Sequence, residues 1–275
     1  MTVTIGGQQY RVDLGAPASL AIPLDFAGPQ PGFFGAPAAC AESFKTQDFV
    51  GNTAEGGSCN VAVLHLVPHC NGTHTESAGH IVNDRIPVTD TLIQGLMPAR
   101  LITVAPQPAA ETDDTYRPEK RADDWMVTRG ALHDALVESS PDELMGLIVR
   151  TLPNDESKRS QRYEEGAQPP YFSIEAMELL IERQVTHLLV DLPSLDKMHD
   201  EGLLTAHHLF WGVPAGHYRL GPQASPMKTI TEMIYVPPEL DNGLYLLNLQ
   251  LPAFLTEAAP SRPIIYRLEA VDCRS

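Results

Sequence analysis

His69-Cys70-Asn71-Gly72-Thr73-His74-Thr75-Glu76-Ser77-Ala78-Gly79-His80 is the stretch on which the reading of this chain turns. Three of the chain's 10 histidines, a thiol and a carboxylate fall within these twelve residues, and His65 lies just upstream. Each of those groups can bind a metal or move a proton. An extended segment sends successive side chains to opposite faces. Cys70, His74, Glu76 and His80 are all even-numbered, so an extended path predicts one face carrying S, N, O and N donors. That donor set suits zinc or manganese rather than magnesium or calcium.

Upstream, residues 60–67 (Asn-Val-Ala-Val-Leu-His-Leu-Val) form a nearly continuous apolar run, read as a strand leading into the histidine-rich stretch. Residues 13–58 are rich in Pro, Gly and Ala and carry Phe33, Phe34, Phe44 and Phe49. They are expected to lie as a loop over the body, with Phe34 a candidate for an apolar wall over a pocket. At the N-terminus, Val3, Ile5, Tyr10 and Val12 alternate around Gly6-Gly7, which predicts a hairpin. Downstream, strands are expected at residues 101–104, 147–151, 187–191, 229–236 and 243–251, and a short helix over 130–138. Residues 153–170 are charged, lack apolar periodicity and read as a loop or insertion. Ser173 precedes Ile174-Glu175-Ala176-Met177-Glu178-Leu179-Leu180-Ile181-Glu182-Arg183, an N-cap followed by acids and apolar residues at helical spacing. Strands with a few helices predict a mixed α/β or α+β fold, read as one domain over residues 1–275.

Composition narrows the function classes. The 275 residues are 43% hydrophobic and carry a formal net charge of -16, with 35 acidic against 19 basic residues. Nucleic acid and anionic membranes both call for a basic footprint, so neither is an expected partner. The first residues lack a basic region followed by an apolar run, and no run approaches a membrane span. Cys40, Cys59, Cys70 and Cys273 are irregularly spaced and read as reduced thiols of a cytoplasmic protein.

Gly72-Thr73-His74-Thr75-Glu76 followed by His80 resembles the signature of the cyclase family of metal-dependent hydrolases, His-x-Gly-Thr-His-x-Asp-x-Pro-x-His. That family includes bacterial kynurenine formamidase and isatin hydrolase. The resemblance continues through Ser173–Arg183, Asp191-Leu-Pro-Ser194-Leu-Asp196, Ala206-His207-His208, Ile230-Thr231-Glu232, and Asn242-Gly243 with Arg262-Pro263. It implies a swivelling β/β/α domain with one or two ions, Zn2+ or Mn2+. His74, Glu76, one of His207 and His208 (His207 favoured) and Glu232 would be ligands, and His80 the proton donor and acceptor. Homo-oligomers are usual for proteins resembling this family.

The chain departs from that pattern in four places. Cys70 stands where the family has its first ligand, with His69 one residue early, so Cys70 and His69 are rival candidates. Glu76 replaces an Asp, Ala78 replaces a Pro, and the segment between His207 and Glu232 is long. Glu232 in an apolar strand is costly to bury unpaired, which favours a ligand or ion-pair role. Asp191 and Asp196 are read as fixing a turn or a neighbouring imidazole. Trp211, following His207-His208, is the second candidate for the pocket wall. His65, His133, His187, His199 and His217 are read as surface or hydrogen-bonded residues.

The resulting expectation is hydrolysis of a carbon–nitrogen bond in a small amide, formamide or cyclic amide. A metal-containing, non-catalytic binding protein on the same scaffold is the alternative. A nucleophilic Cys70 paired with His74 is a third reading, and it leaves Glu76, His80 and Glu232 without a role.

Overall fold

A computed structural model of the chain describes residues 1–92, 94–164 and 168–271. Cys273 lies outside them. The alternation expected near the N-terminus produces the strands Thr2–Ile5 and Gln8–Val12, paired antiparallel. Gly6 and Gly7 turn between them at φ 54° and 83°, angles that favour glycine.

This hairpin is one edge of an eleven-stranded mixed sheet. From that edge the order runs Thr2–Ile5, Gln8–Val12, Ile264–Ala270, Gly243–Asn248, Leu96–Val104, Gly146–Thr151, His187–Val190, Thr229–Glu232, His74–Glu76 and Ala258–Pro260. The short strand Ala18–Ser19 pairs with Ile264–Ala270 beside this path. The four strands from Leu96–Val104 to Thr229–Glu232 are parallel, and the flanking pairs are antiparallel. Leu96–Val104 starts earlier than the expected 101–104. Its Pro98 lies in the overhang before Ala99, where pairing with Gly146–Thr151 begins, so the missing N–H disrupts only one ladder.

Period-two alternation gives each central strand two buried faces. Ile102, Val104, Leu147, Val149, Leu188 and Val190 face the helices, packing with Leu132, Leu136, Met177, Leu180 and Phe210. Met97, Ala99, Leu101, Ile148 and Leu189 face the other side, where they cluster with Tyr245, Leu247 and Ile265 of the neighbouring strands and with Leu20, Ile234 and Val236. The three longest helices among the described residues are Arg129–Leu136, Ile174–Glu182 and Thr205–Trp211. The second begins where expected, with Ser173 Oγ accepting from the Ala176 N–H at 2.9 Å. Each fully buried leucine of this layer contributes roughly 1.5–3 kcal/mol.

Two expectations need correcting. The strand expected over residues 60–67 is present but shorter, Ala62–His65, and it lies in an exposed two-stranded ribbon with Cys40–Ser43. Val61, Val63, Leu64 and Val67 are exposed. The path is also not extended across residues 69–80. Pro68–Asn71 is a helical turn with proline in its first position, and Ala78–His80 is a 3-10 turn. Only His74–Glu76 is strand. Residues 13–58 are largely irregular, interrupted by short strands and one 3-10 turn at Thr53–Glu55.

Candidate metal centre

The strand His74–Glu76 lies between Thr229–Glu232 and Ala258–Pro260, with His74 directly opposite Glu232. His74, Glu76 and Glu232 therefore share a face, while Thr75 and Thr231 pair their hydroxyls at 2.8 Å on the other. The helical turn Pro68–Asn71 swings His69 over this face. Its Nδ1 lies 3.0 Å from Glu76 Oε2, and its Nε2 lies 3.4 Å from Glu257 Oε1. The turn Ala78–His80, capped by Ser77 Oγ, brings His80 Nε2 to 3.9 Å from the same Glu76 oxygen. His69 and His80 stack with ring centroids 4.2 Å apart. From the helix Thr205–Trp211, His207 Nε2 reaches Glu76 Oε1 at 2.9 Å and Glu232 Oε1 at 3.6 Å.

Four histidines and two carboxylates thus converge: His69, His74, Glu76, His80, His207 and Glu232. The donor atoms of His69, His74 and Glu76 lie within 4.8 Å of one another, as do those of Glu76, His80 and His207. The nitrogen turned away from the centre is held in several cases. His74 Nδ1 meets the Gly72 carbonyl at 2.9 Å, and His207 Nδ1 meets the Asp196 carboxylate. This is the orientation that outer partners impose on metal-binding imidazoles.

Two atoms test the fit of a cation directly. His74 Nε2 and Glu76 Oε2 are buried and make no aligned hydrogen bond, though Glu232 Oε2 stands 3.5 Å from the nitrogen and His69 Nδ1 3.0 Å from the oxygen. A buried polar atom left so costs about 1–3 kcal/mol, and an ion held by this nitrogen and oxygen would offset that cost. The residues fit a transition metal with nitrogen and oxygen ligands.

The electrostatics are tightly balanced. Burial opposes charge on Glu76, but His80 and His207 hold its carboxyl well below the usual carboxylate range. Burial and the nearby Glu76 push Glu232 up. Burial also resists protonation of His207, yet Glu76 and Asp196 raise it well above its ordinary value. His80 behaves oppositely: burial pushes it down to about 4, and Glu76 only partly compensates. It is a neutral base near pH 7.

The structure brings together His69, His74, Glu76, His80, His207 and Glu232, and leaves three expected site residues outside. Cys70 points away from the His74–Glu76 pair and packs with Phe33, Met198 and Met233, because a helical turn places adjacent side chains about 100° apart. Trp211, expected at the pocket wall, is fully buried, with its Nε1 donating to the Lys228 carbonyl. Its ring stands behind His207 at 5.5 Å, so it supports that imidazole from inside the core. Phe34 is 60% exposed and rests on Phe33 at 4.3 Å.

Residues that sequence reasoning missed stand behind His207. Tyr116 donates to Asp196 at 2.5 Å and accepts from the Lys197 N–H at 3.1 Å. Lys197 Nζ pairs with Asp124, which also accepts from Tyr171 at 2.8 Å. Tyr116 lies 80 residues from Asp196 in sequence, in a stretch with no periodicity to mark it. Glu257, beside His69, sits likewise in an irregular segment.

The family model described as "Putative cyclase" matches residues 12–197. That is more than half of the chain, which belongs to the Cyclase family. Among solved structures, isatin hydrolase A from Labrenzia aggregata bound to benzyl benzoate is similar at 17% identity and TM-score 0.61, covering 92% of this chain and 94% of that one. An isatin hydrolase bound to the product analogue thioisatinate is 14% identical with TM-score 0.60, covering 92% of each chain. A predicted metal-dependent hydrolase from Bacillus stearothermophilus is 13% identical with TM-score 0.57, covering 91% of this chain and 98% of that one. At these identities the likeness is one of fold, and it agrees with the mixed α/β architecture read from the sequence. No curated protein matches the chain.

Proposed function

We propose that the protein is a metal-dependent hydrolase that cleaves a carbon–nitrogen bond of a small amide, formamide or cyclic amide. The observation that carries this reading is the convergence of buried imidazoles and carboxylates around His74 Nε2 and Glu76 Oε2, two buried atoms that make no aligned hydrogen bond. The ligands would be His69, His74, Glu76, His207 and Glu232, holding one or two ions of zinc or manganese. When bound, such an ion polarises a carbonyl and acidifies water.

The remaining steps belong to the chain. His80, kept neutral by burial, takes the proton of the attacking water and returns it to the departing nitrogen. An amide needs that return because its amine leaves poorly without a proton. Asp196 holds His207 in one orientation through Nδ1. Phe34 and its neighbours on the 30–37 loop supply an apolar rim, fastened to the site by the bond from Asn71 Nδ2 to the Pro37 carbonyl.

The discriminating experiment combines metal analysis and turnover on wild type and His80→Ala. The expected result is a transition metal in both forms, with turnover of amides or lactams lowered by about 10²–10⁴-fold in the variant. Metal in both and turnover in neither would favour the binding-protein reading, while metal-free, folded wild type would end both.

A homo-oligomer is also part of the proposal. The ribbon of Cys40–Ser43 and Ala62–His65 is solvent-exposed on both faces, with Val63 at 39% and Leu64 at 53%. An isolated two-stranded ribbon is marginal in water, and a second copy covering it would bury these side chains. Leu64→Asp is expected to shift sedimentation toward the monomer; an unchanged profile would remove this ribbon from the interface. Among the described residues Cys40, Cys59 and Cys70 form no disulfide with one another, which agrees with a reducing, cytoplasmic setting. Among the described residues no helix is long and apolar enough to cross a membrane.

A further inference from the structure

A second cavity of about 640 Å³ lies on the far side of the helix Thr205–Trp211 from the metal centre. Adjacent helical residues face apart, so His207 turns to the cluster while His208 lines this cavity. The other walls are the start of the helix Ile174–Glu182 and the segment Thr115–Arg117. Those walls are fastened together: Ile174 N–H donates to the Thr115 carbonyl at 3.0 Å, and Thr205 Oγ1 to the Arg117 carbonyl at 2.7 Å. The volume is within the usual range for small-ligand sites.

The polar groups lining it fall into two kinds. Glu175 is already saturated, accepting from Thr115 N–H at 2.7 Å and Thr115 Oγ1 at 2.6 Å. Arg117 and Glu178 are different. Both line the cavity with exposed side chains, and among the described residues neither forms an ion pair or side-chain hydrogen bond, although Arg129 is near enough to Glu178 to feel its charge. Ile174, Leu209 and Val213 supply apolar lining. His208 is 7% exposed, and its Nδ1 is taken by the Val213 carbonyl at 2.9 Å, which leaves Nε2 as an acceptor.

We propose that this cavity binds a small zwitterion of the α-amino-acid class with an apolar side chain. Arg117 would take the carboxylate, Glu178 the ammonium with His208 Nε2 as a second acceptor, and Ile174, Leu209 and Val213 the side chain. Two opposite charges and apolar side chains lining one cavity select a ligand carrying both charges and an apolar group. A simple carboxylate would leave Glu178 unanswered, and a simple amine would leave Arg117 so. The site is separate from the reaction proposed above and does not depend on it.

Calorimetric titration of the full chain with L-leucine, isovalerate and isopentylamine tests the assignment. Leucine is expected to bind one per chain, with each single-charge analogue weaker by roughly tenfold or more. Arg117→Ala and Glu178→Ala remove exposed side chains that hold no structural bond, so both variants should fold, and each should weaken leucine by roughly tenfold or more. No binding of leucine, methionine or phenylalanine at about 10 mM would overturn the proposal. So would binding that is unchanged in both variants, or isovalerate binding as tightly as leucine.

Discussion

His69 and Cys70 are neighbours in sequence and end in opposite surroundings. The imidazole stands 3.0 Å from Glu76 Oε2, whereas the thiol packs against Phe33, Met198 and Met233. Burial, with the nearby Glu232, pushes the Cys70 thiol up, which keeps it protonated and a poor ligand or nucleophile. His69 also has Glu257 on its outer nitrogen, as metal-binding imidazoles commonly do. His69→Ala is therefore expected to weaken metal binding by about 10–100-fold in a chelator competition, by analogy with lost outer partners. Cys70→Ser should leave affinity and stoichiometry unchanged. The reverse pattern would hand the first ligand position to the thiol.

At the scale of the element, legibility followed from whether one period governed a segment. The helix Ile174–Glu182 and the strands Gly146–Thr151 and His187–Val190 carry a cap or an apolar run that no tertiary contact contradicts. Residues 69–80 switch conformation twice in twelve positions, so counting odd and even could not place their side chains. The local signals were there: Pro68 at the first position of a turn, and Ser77 before a second turn. Residues 60–67 hold the expected strand only at Ala62–His65. An apolar run reports a desire for burial, and this one finds no cover within its own chain. Tyr116, Asp124, Lys197 and Glu257 are joined to the site only by folding, and no spacing announces them.

The same helix supplies a prediction. Ser173 Oγ accepts from Ala176 N–H and donates to Asp114 at 2.6 Å, and Asp114 also accepts from the Arg129 N–H at 2.7 Å. One hydroxyl thereby ties the starts of two helices. Ser173→Ala removes the cap and one partner of Asp114, a loss of about 1–2 kcal/mol expected in urea denaturation. Ser173→Thr should recover most of it. A Ser173→Ala midpoint equal to wild type would mean that the cap contributes nothing.

Over the whole molecule, the acidic surface and the buried imidazoles respond to pH in different ways. With a net charge of -16, exposed carboxylates repel one another near neutrality, and mild acid relieves that repulsion. His187 acts in the opposite sense. It is 6% exposed in the central sheet, its Nδ1 lies 2.8 Å from Thr229 Oγ1, and burial pushes it down to about 4. An unfolded histidine titrates near 6.5. Between those values the unfolded chain takes up a proton that the folded one refuses, so stability falls as pH drops from about 6.5 to about 4. The loss amounts to about 3 kcal/mol over the window, and the contribution is fully present above it. His80 is pushed down to about 4 as well, so His187 carries part of the slope and not all of it. His187→Gln keeps a group able to bond Thr229 but cannot take a proton. Unfolding free energies measured at intervals from pH 4 to 7 on chelator-treated protein should lose close to one proton of slope near pH 5, about 1.4 kcal/mol per pH unit. A variant curve parallel to wild type across that range would show that His187 is protonated in the folded protein.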